Sequence, residues 1–456
     1  VNKTSLQDRF AGQMGQLLGP EFPPDIALAV SGGGDSMAML ALSHEWARVM
    51  GTRLWVVTVD HGLRSESATE AAMVAAECAA LGHPHTTLRW HWDGQGNLLD
   101  AARRARLSLI DRWRAGIDHV LMAHTADDVA ETFLMRLARG SGVSGLAAMA
   151  AKRVVQPHRG PPPPLPLSDV TATQAPPLPD RRAADVLACG MGFTLVRPLL
   201  TETRDDLRHY IRTLKVPFID DPSNDDPSFE RVRIRKALET LGIDRTVLTA
   251  TAMRMARARE ALVARAADVA SRIVSEARAG TSPLGDLLID RDGFAKVERE
   301  TQLHLLAAAL QWVASAEYRP RSAPLEALLD RALAGGGGTL HGAQVAVGRG
   351  HLRIFREYAA LGSLGSDASV PGIWDGRWRL CGNGKKGWIV RALGPDGWAQ
   401  IPDKPADASP FIAARSLPAV FDGDRLVACP ALGFGAPLPV DFCPRGGPFA
   451  ALGDSH

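Results

Sequence analysis

Cysteine is scarce in this chain, and no two cysteines form a C-x-x-C pair. Cys78, Cys189, Cys381, Cys429 and Cys443 are the five among 456 residues. An odd number at wide spacing excludes a disulfide framework and a zinc knuckle, and fits a reducing cytoplasm. Net charge is nearly absent: 52 Lys and Arg against 50 Asp and Glu leave +2. That excludes a uniformly basic nucleic-acid coat, but not a local basic face. No apolar run is long enough to span a bilayer. Val1–Leu18 lacks the basic-then-apolar pattern of a leader. Hydrophobic residues reach 46%, enough for two or three ordinary cores.

What is present is alternation. Up to about residue 150, short apolar runs predict strands at 26–30, 54–59, 86–90 and 120–123. Between them, helices are predicted at 36–50, 67–81, 98–115 and 127–139. Ser67 and Glu70 read as a capping box, and Gly140 as a helix stop. Strand–helix alternation argues for an α/β doubly wound parallel sheet, whose ligands collect at the carboxyl ends of the strands. A Pro-rich stretch, about 156–190, reads as an extended insertion or mobile loop. Order returns at 195–200, followed by a short helix at 204–214. Long Ala/Arg helices then run to about Arg278, with more helix near 302–315 and 323–334. Alternation resumes at 343–356. From about Pro371 the chain turns Trp-, Gly- and Pro-rich, which suggests a small β-containing module.

The stretch "AVSGGGDSM" places Ser31-Gly32-Gly33-Gly34-Asp35-Ser36 between a strand and a helix. Amides at a helix start point outward without partners, and the dipole adds positive charge, which makes an anion cradle. Glycines let the backbone approach phosphate closely, and Ser31 and Ser36 add hydroxyls. Asp35 would repel phosphate unless a cation lay between them, so its natural task is to hold Mg²⁺. The stretch fits neither G-x-x-x-x-G-K-[ST] nor G-x-G-x-x-G. The absent Walker lysine argues against a P-loop kinase or GTPase.

S-G-G-x-D-S after a strand resembles the signature of the N-type ATP pyrophosphatases, the PP-loop family. Three more stretches narrow the resemblance. They are Asp60-His61-Gly62-Leu63-Arg64, His124-Thr-Ala-Asp127-Asp128-Val-Ala-Glu131-Thr132, and Arg139-Gly140-Ser141-Gly142-Val-Ser-Gly145-Leu146. With Arg197-Pro198-Leu199-Leu200 and Asp221-Pro222-Ser223-Asn224, they are similar to the tRNA(Ile)-lysidine synthetase family. The likeness is dense over about 25–240 and thin at the C-terminus. It implies a PP-loop ATPase domain over 1–220, a mainly helical tRNA-binding domain over 221–356 and a small C-terminal domain over 357–456. It also implies the reaction. ATP adenylates the C2 oxygen of the wobble cytidine in tRNA(Ile) with a CAU anticodon. Free L-lysine then displaces AMP to give lysidine. Partners are therefore that tRNA and lysine, with ATP and Mg²⁺ as cofactors, no membrane, and a homodimer left open.

Site residues follow from the same resemblance. Ser31, Gly32, Gly33, Gly34, Asp35, Ser36, Asp60 and His61 are assigned to the nucleotide, and Glu131 to lysine. Asp35 and Asp128 are assigned to metal, and Asp35, Asp128, His124, Arg103 and Arg231 to catalysis. Adjacent acids at a helix start are also ordinary dipole partners, so the sequence leaves the division among Asp127, Asp128 and His124 open. The family pattern A-R-x-x-R-Y has Leu107 in place of Tyr here, and R-N-x-I-R has Val232 in place of Asn. Arg254, Arg257, Arg259, Arg265 and Arg272 read either as a solvated face or as a line facing a tRNA backbone. Trp374, Trp378, Trp388 and Trp398 read mostly as small-domain core. Two other activities stay open. A PP-loop tRNA sulfur-transferase would need reactive cysteines or cluster ligands. A non-catalytic nucleotide-dependent tRNA-binding protein would release no pyrophosphate.

Overall fold

The computed structural model describes residues 4–62, 66–92, 94, 96–155, 170–172, 192–220, 228, 230–405, 407, 409–436, 438 and 440–449. Leu63, Arg64, Cys189, Asp221–Asn224 and all of the Pro-rich stretch except Val170–Ala172 lie outside these residues. The chain divides into two compact units, residues 1–158 with 162–259, and residues 260–456.

The first unit is the doubly wound sheet. Its elements are α1 (Leu6–Leu18), β1 (Asp25–Ala29), α2 (Gly34–Met50), β2 (Arg53–Asp60), α3 (Ser67–Leu81), β3 (His85–Arg89), α4 (Leu98–Trp113), β4 (His119–Met122), α5 (Ala126–Leu137), α6 (Val143–Leu146), β5 (Lys152–Val155), β6 (Val170–Ala172), β7 (Phe193–Val196), α7 (Arg204–Leu214), α8 (Glu230–Leu241) and the start of α9 (Arg245–Ile273). Strand order is β5-β7-β4-β1-β2-β3-β6. The five inner strands run parallel, while β5 and β6 close the edges antiparallel. Each inner strand is a short apolar run, as burial on both faces requires. Phe10, Met14, Leu40, Val74 and Ile211 fill one side. Trp55, Leu109, Ile110 and Trp113 fill the other. The order reverses between β1 and β4, and the crevice beyond their carboxyl ends is where such sheets bind ligands.

Most elements lie where the sequence predicts them, with three corrections. Ser67 is the first helical residue and Glu66 takes the N-cap with no side-chain cap hydrogen bond, so Ser67 is not the cap the pattern predicts. α4 ends at Trp113 rather than Ala115, whose φ of 49° has left the helix. The helix predicted to reach Arg278 ends at Ile273, and Val274–Ala279 is strand β8.

β8 turns through Gly280 (φ 55°) and Thr281 into β9 (Ser282–Asp290). A two-residue hairpin with positive φ at its first position is a favoured connection. Pairing and burial of Ala277, Ala279, Leu284, Leu287 and Ile289 override the helix propensity of Ser-Glu-Ala-Arg-Ala. The second unit therefore carries an antiparallel sheet, β10-β11-β12-β9-β8, with β10 at Gly338–Leu340, β11 at Ala343–Val347 and β12 at His351–Arg356. The stretch 221–356, read as mainly helical, thus holds five strands beside its helices. From residue 366 on, two further small antiparallel sheets follow. There Trp374 and Trp378 are fully buried, and Trp388 and Trp398 pack against the same core.

Candidate functional site

β1 delivers Ser31-Gly32-Gly33 to the start of α2. Gly32 has φ 88°, a conformation that favours glycine, and an added Cβ would meet Ile219 Cδ1 at 3.4 Å. The Gly32 carbonyl accepts the Ile219 N–H at 3.0 Å, and Gly33 forms a single parallel bridge to Ile219. The loop is therefore braced from behind. Gly33 caps α2 with no side-chain cap, so the first amides of that helix face outward. The Ser36 hydroxyl donates to the Gly33 carbonyl at 2.9 Å and accepts the Ser31 N–H at 3.2 Å, so it shapes the cradle. Asp60 Oδ1 similarly accepts the Gly62 N–H at 2.8 Å, holding the turn after β2.

Beyond β4, Thr125 opens α5 with a capping box to Asp128. Asp128 Oδ2 accepts from Thr125 N and Oγ1 at 2.9 and 3.0 Å, which leaves Oδ1 turned toward Arg204 Nη2 at 3.6 Å. Asp127 has a different role. Its Oδ2 accepts the Arg204 N–H at 2.8 Å and its Oδ1 an Arg245 Nη1–H at 3.1 Å, tying α5 to the starts of α7 and α9. One turn on, Glu131 is 2% exposed; Oε1 pairs with Arg235 at 3.0 Å and Arg204 at 3.4 Å, while Oε2 is buried without a partner. Asp35 Oδ2 accepts from Arg204 Nε at 3.1 Å, and its Oδ1 is likewise buried and unpaired. Asp35, Asp128 and Glu131 thus share one guanidinium. Burial pushes the Asp35 carboxyl up against the pull of Arg204.

Opposite in sign is the set Arg103, Arg106, Arg197 and Arg231. Burial, then Arg103 and Arg231, lower the proton affinity of Arg106. His124 carries a lowered pKa of about 4, from burial first and then Arg197, with Asp128 working against the shift. Its Nδ1 is buried and unpaired. His61 stands edge-on to Trp90 at 5.6 Å and is also held near 4 by burial and Arg106. Arg104 belongs elsewhere, paired with Asp100 at 2.9 Å. A cluster of guanidiniums that lowers proton affinity around it suits an anion.

The sequence-predicted residues therefore assemble in two groups. Asp35, Asp128 and Glu131 meet; the field of Arg106 reaches His124 and His61, that of Arg231 reaches His124, and Arg103 acts on Arg106 and Arg197. Arg204 and Arg106 were not assigned to the site by the sequence. Arg204 lies outside every quoted motif, while Arg106, the second arginine of A-R-x-x-R, reads with Arg103 either as a solvated face or as a phosphate contact. Among the described residues no group of three or more His, Cys, Asp or Glu is placed to hold a metal. Asp35 with its unpaired buried Oδ1, and Asp128 with Oδ1 held only by Arg204 at 3.6 Å, keep hard oxygens that suit a divalent cation. Farther along α9, Arg265 and Arg272 pair with Asp268 and Glu298, so they belong to a solvated face. Arg254 and Arg257 are exposed.

The PP-loop domain model matches residues 6–241. The chain is 40% identical to the tRNA(Ile)-lysidine synthase of Ruegeria pomeroyi over 90% of this chain and 89% of that protein. With the enzyme of the same name from Bradyrhizobium sp. the figures are 39%, 72% and 89%. With that of Wolbachia pipientis they are 28%, 90% and 89%.

Proposed function

This chain belongs to the tRNA(Ile)-lysidine synthase family, and from that premise we propose that it joins lysine to C2 of the wobble cytidine of tRNA(Ile) with a CAU anticodon. The observation that supports this most is the pairing, across the β1/β4 crevice, of an amide cradle with carboxylates that keep unpaired buried oxygens.

In the first step the cytidine O2 attacks the α-phosphorus of ATP, and the bond to the β-phosphate oxygen breaks. Amides of Gly32–Ser36 receive the departing pyrophosphate, and Arg103, Arg106 and Arg231 offset charge on the phosphates. Asp35 and Asp128 would hold Mg²⁺, which when bound neutralises phosphate charge. In the second step the lysine ε-amine attacks C2 and AMP leaves. Glu131 Oε2 is the free acceptor for a lysine ammonium. An amine beside Arg106, Arg197 and Arg231 meets the same field that lowers His124, and so gives up its proton more readily. Neutral His124, with Nδ1 free, is assigned to hydrogen bonding with the reacting base; the field that holds it near 4 makes it a poor proton acceptor. A cavity of about 390 Å³ begins at Asp127, with Asp205, Glu239, Asp244 and Arg245 in its wall. Arg245 pairs with Asp127 and Glu239 there.

Arg254 and Arg257 are assigned to the tRNA backbone, with binding that weakens steeply as salt rises. Among the described residues Cys78, Cys381 and Cys429 are free thiols, in keeping with a cytoplasmic enzyme. The test is incubation with labelled lysine, ATP and the CAU-anticodon tRNA. Label in the tRNA, with AMP and pyrophosphate formed, is expected. ADP formation, or no label, overturns the reading.

A further inference from the structure

Arg204 stands at the first position of α7. The helix dipole disfavours a cation there, and Asp205 and Asp206 beside it follow the ordinary preference. Its side chain turns into the site instead, 18% exposed, and reaches Asp35 at 3.1 Å, Glu131 at 3.4 Å and Asp128 at 3.6 Å. Tight charge-assisted pairs run to about 2.7–2.9 Å, so one guanidinium serves three acids and grips none of them closely. Burial works against its charge, and Asp35, Asp128 and Glu131 more than restore it. The acids keep two oxygens that Arg204 does not fill, Asp35 Oδ1 and Glu131 Oε2, both buried and without partners among the described residues. The backbone of Arg204 is secured independently: Asp127 accepts its N–H, and Thr203 caps the helix through Asp206 N. The side chain is thus free to move without unseating α7.

We propose that Arg204 is a positioning residue, a resident counter-cation that holds Asp35, Asp128 and Glu131 together and yields to incoming cations. Those cations are a lysine ammonium at Glu131 and a divalent ion at Asp35 and Asp128; their identity rests on the function proposed above. Three carboxylates around one crevice repel one another unless a cation lies among them. A guanidinium supplies a fixed charge that cannot be lost by deprotonation. It weakens cation binding at the cluster and keeps each acid in register until a cation with better geometry takes its place.

The test is titration of Mn²⁺ alone into the full-length protein, with free Mn²⁺ read by electron paramagnetic resonance and no ATP, lysine or tRNA present. Arg204→Ala is expected to bind Mn²⁺ about tenfold more tightly than wild type, a modest free-energy change. Arg204→Lys, which restores the charge, stays within about twofold of wild type. Arg204→Gln keeps the chain length and carries the same expectation as alanine, should alanine fail to fold. Mn²⁺ binding as weak as wild type, or weaker, in a neutral variant with wild-type circular dichroism overturns the proposal. The titration contains no substrate. A protein that attaches no lysine yet shows the tenfold change loses the proposed function and keeps the counter-cation.

Discussion

Two buried arginine–carboxylate clusters, one in each unit, use the same side chains to opposite ends. In the second unit Asp286 accepts from Arg353 at 2.9 Å and Ser409 at 2.8 Å, and Asp375 accepts from Arg356 and Arg377 at 2.9–3.1 Å. Neither acid has a buried oxygen left over, although Arg353 Nε is unpaired. In the first unit Asp35 and Glu131 each keep one such oxygen. Where every acceptor is filled the cluster is structure, joining β9 and β12 to the turn at Asp375. Where acceptors stay open, the charges await something the chain does not itself supply.

The contrast can be broken by mutation. The largest effect belongs to Asp35→Asn, which is expected to slow pyrophosphate release by about 10²–10³-fold, the scale of losing one electrostatic stabiliser. Its melting temperature should hold, because the lost carboxylate was only partly satisfied. Asp286→Ala should do the reverse. It strands Arg353 in the interior and destabilises the second unit by about 3 kcal/mol, read in urea melts, with pyrophosphate release per folded molecule unchanged. If Asp286→Ala slowed release directly, the division between structural and open clusters would fail.

Glu131→Gln sharpens the contrast within the site. Lysine KM is expected to rise by a factor of tens, about 2 kcal/mol of a charge-assisted contact, while pyrophosphate release without lysine stays as in wild type. An equal loss in both half-reactions would remove Glu131 from lysine binding. The smallest effect concerns pH. His61, His85 and His124 all sit near 4 when folded, through burial first, against an ordinary value of 6.5. The unfolded chain therefore binds more protons between those values. Stability should be complete above about 6.5 and fall as pH drops toward 4. A His61→Gln variant with an unchanged acid slope in denaturant midpoint would remove His61 from that account.

The parallel sheet was legible because each strand is a short apolar run ended by a motif, and each motif lands at the same edge. The acids of α5 were legible as a group but not individually. Asp127 and Asp128 are adjacent in sequence, and the 100° between them sends one to α7 and α9 and the other to its own N-cap. That difference depends on helices more than 70 residues away. Arg204 was hidden for the same reason: only the packing of α7 on α2 brings it to Asp35. β8 was missed because Ser-Glu-Ala-Arg-Ala carries no strand propensity, and its partner supplies the pairing. The arginines of α9 remained ambiguous because a helix face alone does not say which of them find acids.

The brace between Ile219 and Gly32 joins points 187 residues apart in the chain. During synthesis the glycine turn leaves the ribosome long before the segment that steadies it. A nascent polypeptide shorter than about 220 residues would carry the whole signature yet lack its strut. The glycine turn therefore gains its strut only when the domain is nearly complete.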